Sequence, residues 1–236
     1  HIAIGGMARR NTSTIRRVLA GIEQVIREKN LNNKIHLHLL GVGRLDIIDT
    51  LVQNGIDSFD SGSFYRNAWT RETHNYYTLE KGWYAAIRIP QSRRQRMRDV
   101  AGQRGIPAET LEHMEQDALD ALRAYDQGRM DLENTLARVL RYDTLLFRNG
   151  VDGKLEEMYR KTLKDQPWKS CGCKICQEKG VEVIIFRGGN RNRRRGFHNL
   201  KAFYDRLQME LGKSISEKQS STAPYSKPQS VYSPFT

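Results

Sequence analysis

The first sixty residues alternate between strand-like and helix-like segments, and this order constrains the fold more than any other feature of the chain. Residues 2–4, 34–40 and 55–60 have the apolar or alternating pattern of strands, whereas 15–26 and 45–52 carry apolar residues at helical spacing. Parallel neighbouring strands need a crossover connection, usually a helix. The sequence therefore predicts an α/β fold with three consecutive parallel strands.

The third of these segments ends in a carboxylate. Gly55-Ile56-Asp57-Ser58-Phe59-Asp60 is followed by Ser61-Gly62-Ser63, so Asp60 stands where a strand gives way to a turn. In parallel β/α folds the carboxyl ends of the strands carry the active-site residues. A lone Asp after a strand is more often an N-cap for the next helix. The residues alone leave both interpretations of Asp60 open.

Glycines follow the other two strands. Gly5 and Gly6 precede Met7 after the first strand, and Gly41 follows Leu40 after the second. Glycine lets the backbone approach a flat ligand closely, because it has no side chain. It is also the ordinary residue of a turn between strand and helix. These glycines are therefore either ligand contacts or simple turn residues.

The chain is strongly basic. Lys and Arg outnumber Asp and Glu by 39 to 27, which gives a net charge of +12. Much of the excess lies in two clusters: Arg93, Arg94, Arg96 and Arg98, then Arg191, Arg193, Arg194 and Arg195. Clustered arginines favour a polyanion, because each neutralised phosphate releases counterions. One cluster is equally typical of a solvated surface or a disordered arm, but two clusters favour nucleic acid as the partner.

The cysteines are confined to one short stretch. Cys171, Cys173 and Cys176 are the three cysteines of the chain, and His198 follows before an amphipathic segment. Three thiolates and one imidazole complete a tetrahedral Zn²⁺ shell with no open position, so the site would be structural. The alternative is three free cysteines and an unrelated histidine. The cysteine pattern is no disulfide framework and favours a reducing cytoplasm, and the sequence predicts no membrane segment.

Four motifs in order carry a resemblance to a known family: Ile4-Gly5-Gly6-Met7-Ala8, His38-Leu39-Leu40-Gly41-Val42-Gly43, Gly55 to Asp60, and Cys-x-Cys-x-x-Cys with His198-Asn199-Leu200. Together they resemble the C-terminal half of the tRNA-guanine transglycosylase family, over roughly residues 1–66 and 168–212. That family is a (β/α)8 TIM barrel with a zinc-binding appendage. It exchanges guanine in a polynucleotide for a 7-deazaguanine base. Because the chain begins at His1 in a strand-like run, we expect it to be part of a larger protein.

The resemblance implies a role for each matched residue. Asp60 would be the nucleophile that attacks the ribosyl C1′ and holds a covalent intermediate. Backbone groups of Gly5, Gly6 and Met7 would contact the base, and Leu40 with Gly41 would wall its pocket. The family's second catalytic aspartate, its general acid and base, lies on an earlier strand and matches no residue here.

The resemblance also implies a division of the chain. Residues 1–90 would be the last β/α units of the barrel, 91–165 a helical insertion, and 166–213 the zinc-binding segment with a terminal helix. Residues 214–236 are rich in Ser, Thr, Pro and Lys, which predicts a disordered tail.

The chain departs from the family after the proposed nucleophile. Ser61 to Arg66 replaces the usual Cys and Pro-Thr-Arg run, and the helical insertion is unusually long. These departures resemble DNA-directed relatives more than the tRNA enzymes and favour DNA as the substrate, with Arg66, Arg93, Arg94, Arg193, Arg194 and Arg195 as its expected contacts. A catalytically silent nucleic-acid-binding subunit remains the alternative, and a homodimer or a partner subunit is possible in either case.

Overall fold

A computed structural model describes residues 1–32, 34–146 and 153–221 of the chain. The fold is mixed α/β and mostly helical. The strands are β1 (Ile2–Ile4), β2 (Leu37–Leu39), β3 (Ser58–Phe59), β4 (Tyr76–Thr78), β5 (Gly82–Tyr84), β6 (Ile87–Arg88) and β7 (Ile185–Phe186). The helices are α1 (Thr12–Glu28), α2 (Ile48–Gln53), α3 (Ser63–Thr70), α4 (Gln95–Gln103), α5 (Ala108–Asp126), α6 (Leu132–Asp143), α7 (Gly153–Asp165), α8 (Pro167–Ser170), α9 (Lys174–Lys179) and α10 (Gly189–Ser221).

The chain forms two compact units. His1–Ser61 and the chain from Arg206 onward make the sheet unit, and Gly62–Asp205 makes the helical unit. The division of the chain into domains at residues 90, 165 and 213 stays a prediction. Helix α10 reaches Ser221, and the rest of the predicted tail lies outside the described residues.

The sheet unit contains the predicted parallel strands. β1 pairs with β2 and β2 with β3, all in parallel, and the described sheet has the order β1-β2-β3. α1 connects the first two strands, and a short 3-10 turn followed by α2 connects the next two. The prediction of consecutive parallel β/α units is confirmed for this segment.

The apolar stripe of α1 explains how the helix packs in the sheet unit. Asn11 caps the helix by accepting a hydrogen bond from the backbone N–H of Thr14 at 2.8 Å. Ile15 and Leu19, one turn apart, are both buried. They belong to a cluster with Leu39, Val42, Ile47, Ile48 and Leu51, against which Leu207 and Leu211 also pack. Burial of this face therefore holds α1 in place.

The helical unit has its own, larger core. β4 and β5 form a hairpin, whereas β6 pairs in parallel with β7, so that Ile87 lies opposite Ile185. The helices α4 to α7 lie between β6 and β7 in the sequence. Their buried side chains include Leu111, Leu122, Leu136, Val139 and Leu163. The prediction of helices between about residues 91 and 163 is confirmed for the described residues of this segment, 91–146 and 153–163.

Helix α10 packs directly on α3 within the helical unit. The Arg195 side chain is fully buried and donates hydrogen bonds to the carbonyl oxygens of Ala68, Val183 and Ile185. Burial lowers the pKa of this guanidinium. The interpretation of Arg195 as a nucleic-acid contact is therefore corrected, because its donors face the protein's own backbone.

We expect Arg195→Ala to destabilise the protein by about 2–4 kcal/mol, because it leaves buried carbonyl groups without a donor. Arg194→Ala removes the same charge from an exposed neighbouring position and should change the free energy of unfolding by less than about 0.5 kcal/mol. Denaturant-induced unfolding of both variants measures the difference. Equal effects would contradict the structural role of Arg195.

Candidate functional site

The structure brings several of the predicted base-contacting residues together at the carboxyl edge of the three-stranded sheet. The Leu40 N–H donates to the Ile4 carbonyl at 2.9 Å, which continues the pairing of β1 and β2. A Cβ atom on Gly5 would lie 3.7 Å from Cδ1 of Leu40, so these two residues are in contact. The Gly41 N–H donates to Oδ1 of Asp60 at 2.9 Å. Residues that follow three different strands thus form one surface.

Gly6 and Met7 lie in the turn that follows β1. Gly6 has φ +76°, a conformation that favours glycine. The Met7 carbonyl accepts a hydrogen bond from the Arg10 N–H at 3.0 Å, and the Met7 side chain packs against the core of the sheet unit. The turn is therefore fixed by its own hydrogen bond and by its packing.

Gly41 has a positive φ of +72° and lies close to this turn. A Cβ atom at Gly41 would stand 3.2 Å from Cβ of Ala8. Both the backbone conformation and the tight contact favour glycine here, and in this turn the Gly41 N–H points to Asp60.

The Asp60 carboxylate is accessible and held in place. Its side chain is 58% exposed, and Oδ1 receives the Gly41 N–H and lies 3.3 Å from Nε2 of His38. The hydrogen bond from Gly41, followed by that from His38, lowers the pKa of the Asp60 carboxyl. Helix α3 begins at Ser63 with Gly62 as its N-cap residue. Asp60 is therefore an ionised, oriented carboxylate, and the alternative of a helix cap is wrong.

His38 is a residue of this site that the sequence analysis did not assign. It lies opposite Ser58 in the parallel register of β2 and β3, and its Nδ1 is 2.8 Å from Oγ of Ser58. Ser58 and Asp60 are two residues apart, so both face the same side as His38. When Nε2 carries the proton and donates to Asp60, Nδ1 accepts from the Ser58 hydroxyl. Aligning the two predicted strands in parallel, with residue 38 opposite residue 58, would have predicted these contacts from the sequence.

The helical unit contains a second cluster, formed by Cys171, Cys173, Cys176 and His198. Their ligand atoms all lie within 4.8 Å of one another, and Nδ1 of His198 is 3.7, 3.3 and 3.3 Å from the three sulfurs in sequence order. Zn–S and Zn–N bond lengths in a tetrahedral site imply a sulfur–nitrogen separation of about 3.6 Å. The cluster therefore has the dimensions of a Cys3His zinc site.

Neighbouring groups orient the ligands of this cluster. Nε2 of His198 donates to the Tyr77 carbonyl at 2.7 Å, which leaves Nδ1 unprotonated toward the thiols. The Tyr76 ring stacks on the His198 ring at 4.1 Å. Hydrogen bonds, first from Cys171 and then from Cys176, lower the pKa of the Cys173 thiol. Three cysteine sulfurs and an imidazole nitrogen within bonding range of one point are the ligand set of a structural zinc site, so the residues fit such a metal.

The remaining predicted arginines are exposed and lie in the helical unit: Arg66, Arg93, Arg94, Arg193 and Arg194. The Arg93 guanidinium is 3.5 Å from a carboxylate oxygen of Glu112. The Arg94 guanidinium lies against Gly188, directly before α10 begins. These side chains are accessible to a polyanion, in contrast to Arg195.

Among the described helices, none is both long and apolar enough to cross a membrane.

The resemblance to the C-terminal half of the transglycosylase family is confirmed by comparison with a known protein. The chain is 36% identical over 219 residues to a DNA-guanine transglycosylase from Salmonella montevideo. This match covers 92% of the chain and 51% of the relative, so the chain spans about half the length of the curated relative it matches. No family model matches the chain.

If the Cys3His cluster holds zinc, protein purified without chelator should carry about one equivalent of the metal, and a chelator should unfold the helical unit around His198. Elemental analysis and circular dichroism measure the two effects. Cys173→Ser should lower the zinc content, whereas His74→Asn, which alters an exposed histidine outside the cluster, should not. If the protein without substitutions contained no zinc and were still fully stable, the assignment of a structural zinc site would be wrong.

Proposed function

We propose that this chain is the C-terminal part of an enzyme that exchanges guanine in DNA for a 7-deazaguanine base, through a covalent glycosyl intermediate on Asp60. The observation that carries the proposal is the exposed Asp60 carboxylate, held by the Gly41 N–H and His38 at the carboxyl edge of a parallel sheet. A carboxylate in this state can act as a glycosyl nucleophile. The similarity to a protein named a DNA-guanine transglycosylase supports the same chemistry.

The proposed reaction has two displacements. In the first, an Asp60 oxygen forms a bond to C1′ of the sugar while the bond from C1′ to the guanine nitrogen breaks, and the base leaves with the electron pair and takes up a proton. In the second, the incoming base gives up the proton on its ring nitrogen and forms the new bond to C1′ while the bond from C1′ to the Asp60 oxygen breaks, which restores the carboxylate. Two inversions retain the configuration, and the polynucleotide backbone is never cut.

The hydrogen bonds to Asp60 suggest which oxygen attacks. Both the Gly41 N–H and the His38 imidazole contact Oδ1. We therefore assign the attack to Oδ2, with Oδ1 held during the reaction. Fixing the carboxylate before the reaction reduces the entropy that must be lost at the transition state.

His38 acts in this scheme as a positioning residue. The departing and incoming bases occupy the face of the sugar opposite the nucleophile, because each displacement inverts C1′. His38 contacts the nucleophile itself, so it is on the wrong face to protonate the leaving base. The resemblance assigns that proton transfer to an aspartate on an earlier strand, which matches no residue of this chain.

In this proposal the three parallel strands are the last β/α units of a (β/α)8 barrel. Gly5, Gly6 and Met7 contact the base, and Leu40 and Gly41 form a wall of its pocket. The Leu40 side chain is accessible at the edge of the sheet, as such a wall must be. Zinc bound to the Cys3His cluster would stabilise the helical unit and supply no reactive group, because four protein ligands fill its coordination shell.

Two observations favour DNA over tRNA. The relative is named for a DNA substrate, and the segment from Ser61 to Arg66 departs from the run that the tRNA enzymes carry after the nucleophile. The 7-deazaguanine base as co-substrate follows from the family resemblance. The alternative of a catalytically silent nucleic-acid-binding subunit predicts no covalent chemistry at Asp60.

The proposal is tested by trapping the covalent intermediate. Full-length protein containing this chain is incubated with duplex DNA or tRNA and then denatured, and a stable protein–nucleic-acid adduct is measured. We expect an adduct with DNA that is lost in Asp60→Asn, since a neutral amide cannot attack C1′. His38→Gln should form the adduct more slowly.

Asp57→Asn is the matched control for the adduct. Its side chain accepts a hydrogen bond from the Leu37 N–H, which an amide oxygen can still accept, so the adduct should persist. An adduct with tRNA alone would reverse the choice of substrate. An adduct undiminished in Asp60→Asn would remove Asp60 from the mechanism, and no adduct with either nucleic acid would favour the silent subunit.

Phosphate binding by the second basic cluster makes a separate prediction. The double variant Arg193→Ala, Arg194→Ala should weaken DNA binding similarly across sequences and reduce the salt slope of log K by about 2, because each phosphate contact contributes about 1. Arg141→Ala with Lys164→Ala removes the same charge from exposed positions on α6 and α7 and should leave the slope unchanged. Binding titrations at several salt concentrations measure it, and equal slopes for all proteins would exclude the cluster.

A further inference from the structure

Three aromatic rings form a partly exposed cluster on the helical unit. The Tyr65 ring contacts the Trp69 ring edge-on at a centroid distance of 4.7 Å, and the Phe197 ring lies tilted against Tyr65 at a centroid distance of 5.1 Å. Trp69 is 36% exposed and Phe197 is 55% exposed. Exposing a large aromatic ring to water is less favourable than burying it. A contiguous group of such rings on a surface therefore indicates an interaction site.

Close packing of α3 on α10 creates this cluster. A Cβ atom at Gly196 would lie only 2.6 Å from Cδ2 of Tyr65 and 3.0 Å from its carbonyl oxygen. Glycine at this position therefore allows the two helices to approach closely. As a result Phe197, the next residue on α10, is brought beside Tyr65 of α3.

Arginines border the rings on both helices. Arg66 is exposed on α3, next to Tyr65 and three residues before Trp69. Arg193 and Arg194 are exposed on α10, four and three residues before Phe197, which places them one turn away on the same face. We call Tyr65, Arg66, Trp69, Arg193, Arg194 and Phe197 the aromatic–arginine surface.

We propose that the aromatic–arginine surface binds unpaired nucleotides of the DNA substrate, with bases stacked on Trp69 and Phe197 and phosphates held by the arginines. The class of partner rests on the proposed function. Stacking on an aromatic ring needs a base whose face is free, which a paired duplex does not offer. The surface therefore favours single-stranded or locally opened DNA.

Charge and chemistry support this occupant over a protein. Cations on both sides of an exposed aromatic cluster match an anionic backbone that carries flat bases. Exchange of a base also requires that the target leave its stack, which exposes the faces of neighbouring bases.

The test measures binding of the full-length protein to a labelled thymidine oligonucleotide of about 12 nucleotides and to a duplex of the same length. We expect tighter binding of the single strand. Trp69→Ala and Phe197→Ala should each weaken single-strand binding roughly tenfold and change duplex binding much less, because the loss is that of base stacking. Met209→Ala removes another exposed apolar side chain of α10 and should leave both affinities unchanged.

Tryptophan fluorescence reports the contact directly. Of the three tryptophans of the chain, Trp168 is buried and Trp83 is half-buried against Phe64 and Tyr77, whereas Trp69 belongs to the aromatic–arginine surface. Adding the oligonucleotide should therefore quench the emission, and Trp69→Phe should remove most of the quench while binding stays within a few-fold. The Phe variant also tests the proposal with a ring that fills the same place, in case the Ala variant does not fold.

Several outcomes would overturn the inference. Equal losses of single-strand and duplex binding in these variants would exclude base stacking as the role of the two rings. Unchanged binding in Phe197→Ala, together with a shift from dimer to monomer in sedimentation, would make the surface a contact between copies of this chain. The binding assay involves no base exchange, so a missing Asp60 adduct with intact Trp69-dependent binding would refute the proposed chemistry and leave this surface standing.

Discussion

The parallel register of β2 and β3 is the constraint on which the candidate catalytic site depends. It sets His38 opposite Ser58, and the alternation along the strand then directs Asp60 to the same side. The turn after β2, with Gly41 in a positive φ, brings a backbone N–H to the same carboxylate. If β3 paired with β2 one residue out of this register, Ser58 and Asp60 would lie on the face opposite to His38, and the site would not form.

The Cys3His cluster plays a corresponding part in the helical unit. It joins a loop and a short helix, which supply the cysteines, to α10, which supplies His198, and through the Tyr77 carbonyl it also reaches the hairpin of β4 and β5. The buried side chain of Arg195 links α10 to α3 in the same unit. Polar contacts of this kind fix the position of α10 more closely than apolar packing alone, because each needs a particular geometry.

Adjacent arginines in one sequence motif have opposite roles. Arg193 and Arg194 are exposed and suited to phosphates, whereas Arg195 saturates buried carbonyl groups. The difference arises because successive residues of a helix point about 100° apart, so that a basic run on an amphipathic helix cannot lie wholly on one face. The same geometry puts Phe197 on the exposed face beside the arginines and His198 on the buried face at the cysteines.

Local sequence patterns were enough to predict the short elements and the chemistry of single motifs: the parallel β/α order of the first sixty residues, the candidate carboxylate at Asp60, and the set of four candidate metal ligands. These follow from hydrophobic period, turn residues and ligand type, which are properties of nearby residues. Contacts between side chains far apart in the sequence depend on the three-dimensional packing and could not be predicted in this way. The contact of His38 with Asp60, the pairing of Ile87 with Ile185, the burial of Arg195 and the meeting of Tyr65 with Phe197 all depend on strand register or helix packing. No local pattern encodes such contacts, because the free energy that selects them comes from packing of the whole unit.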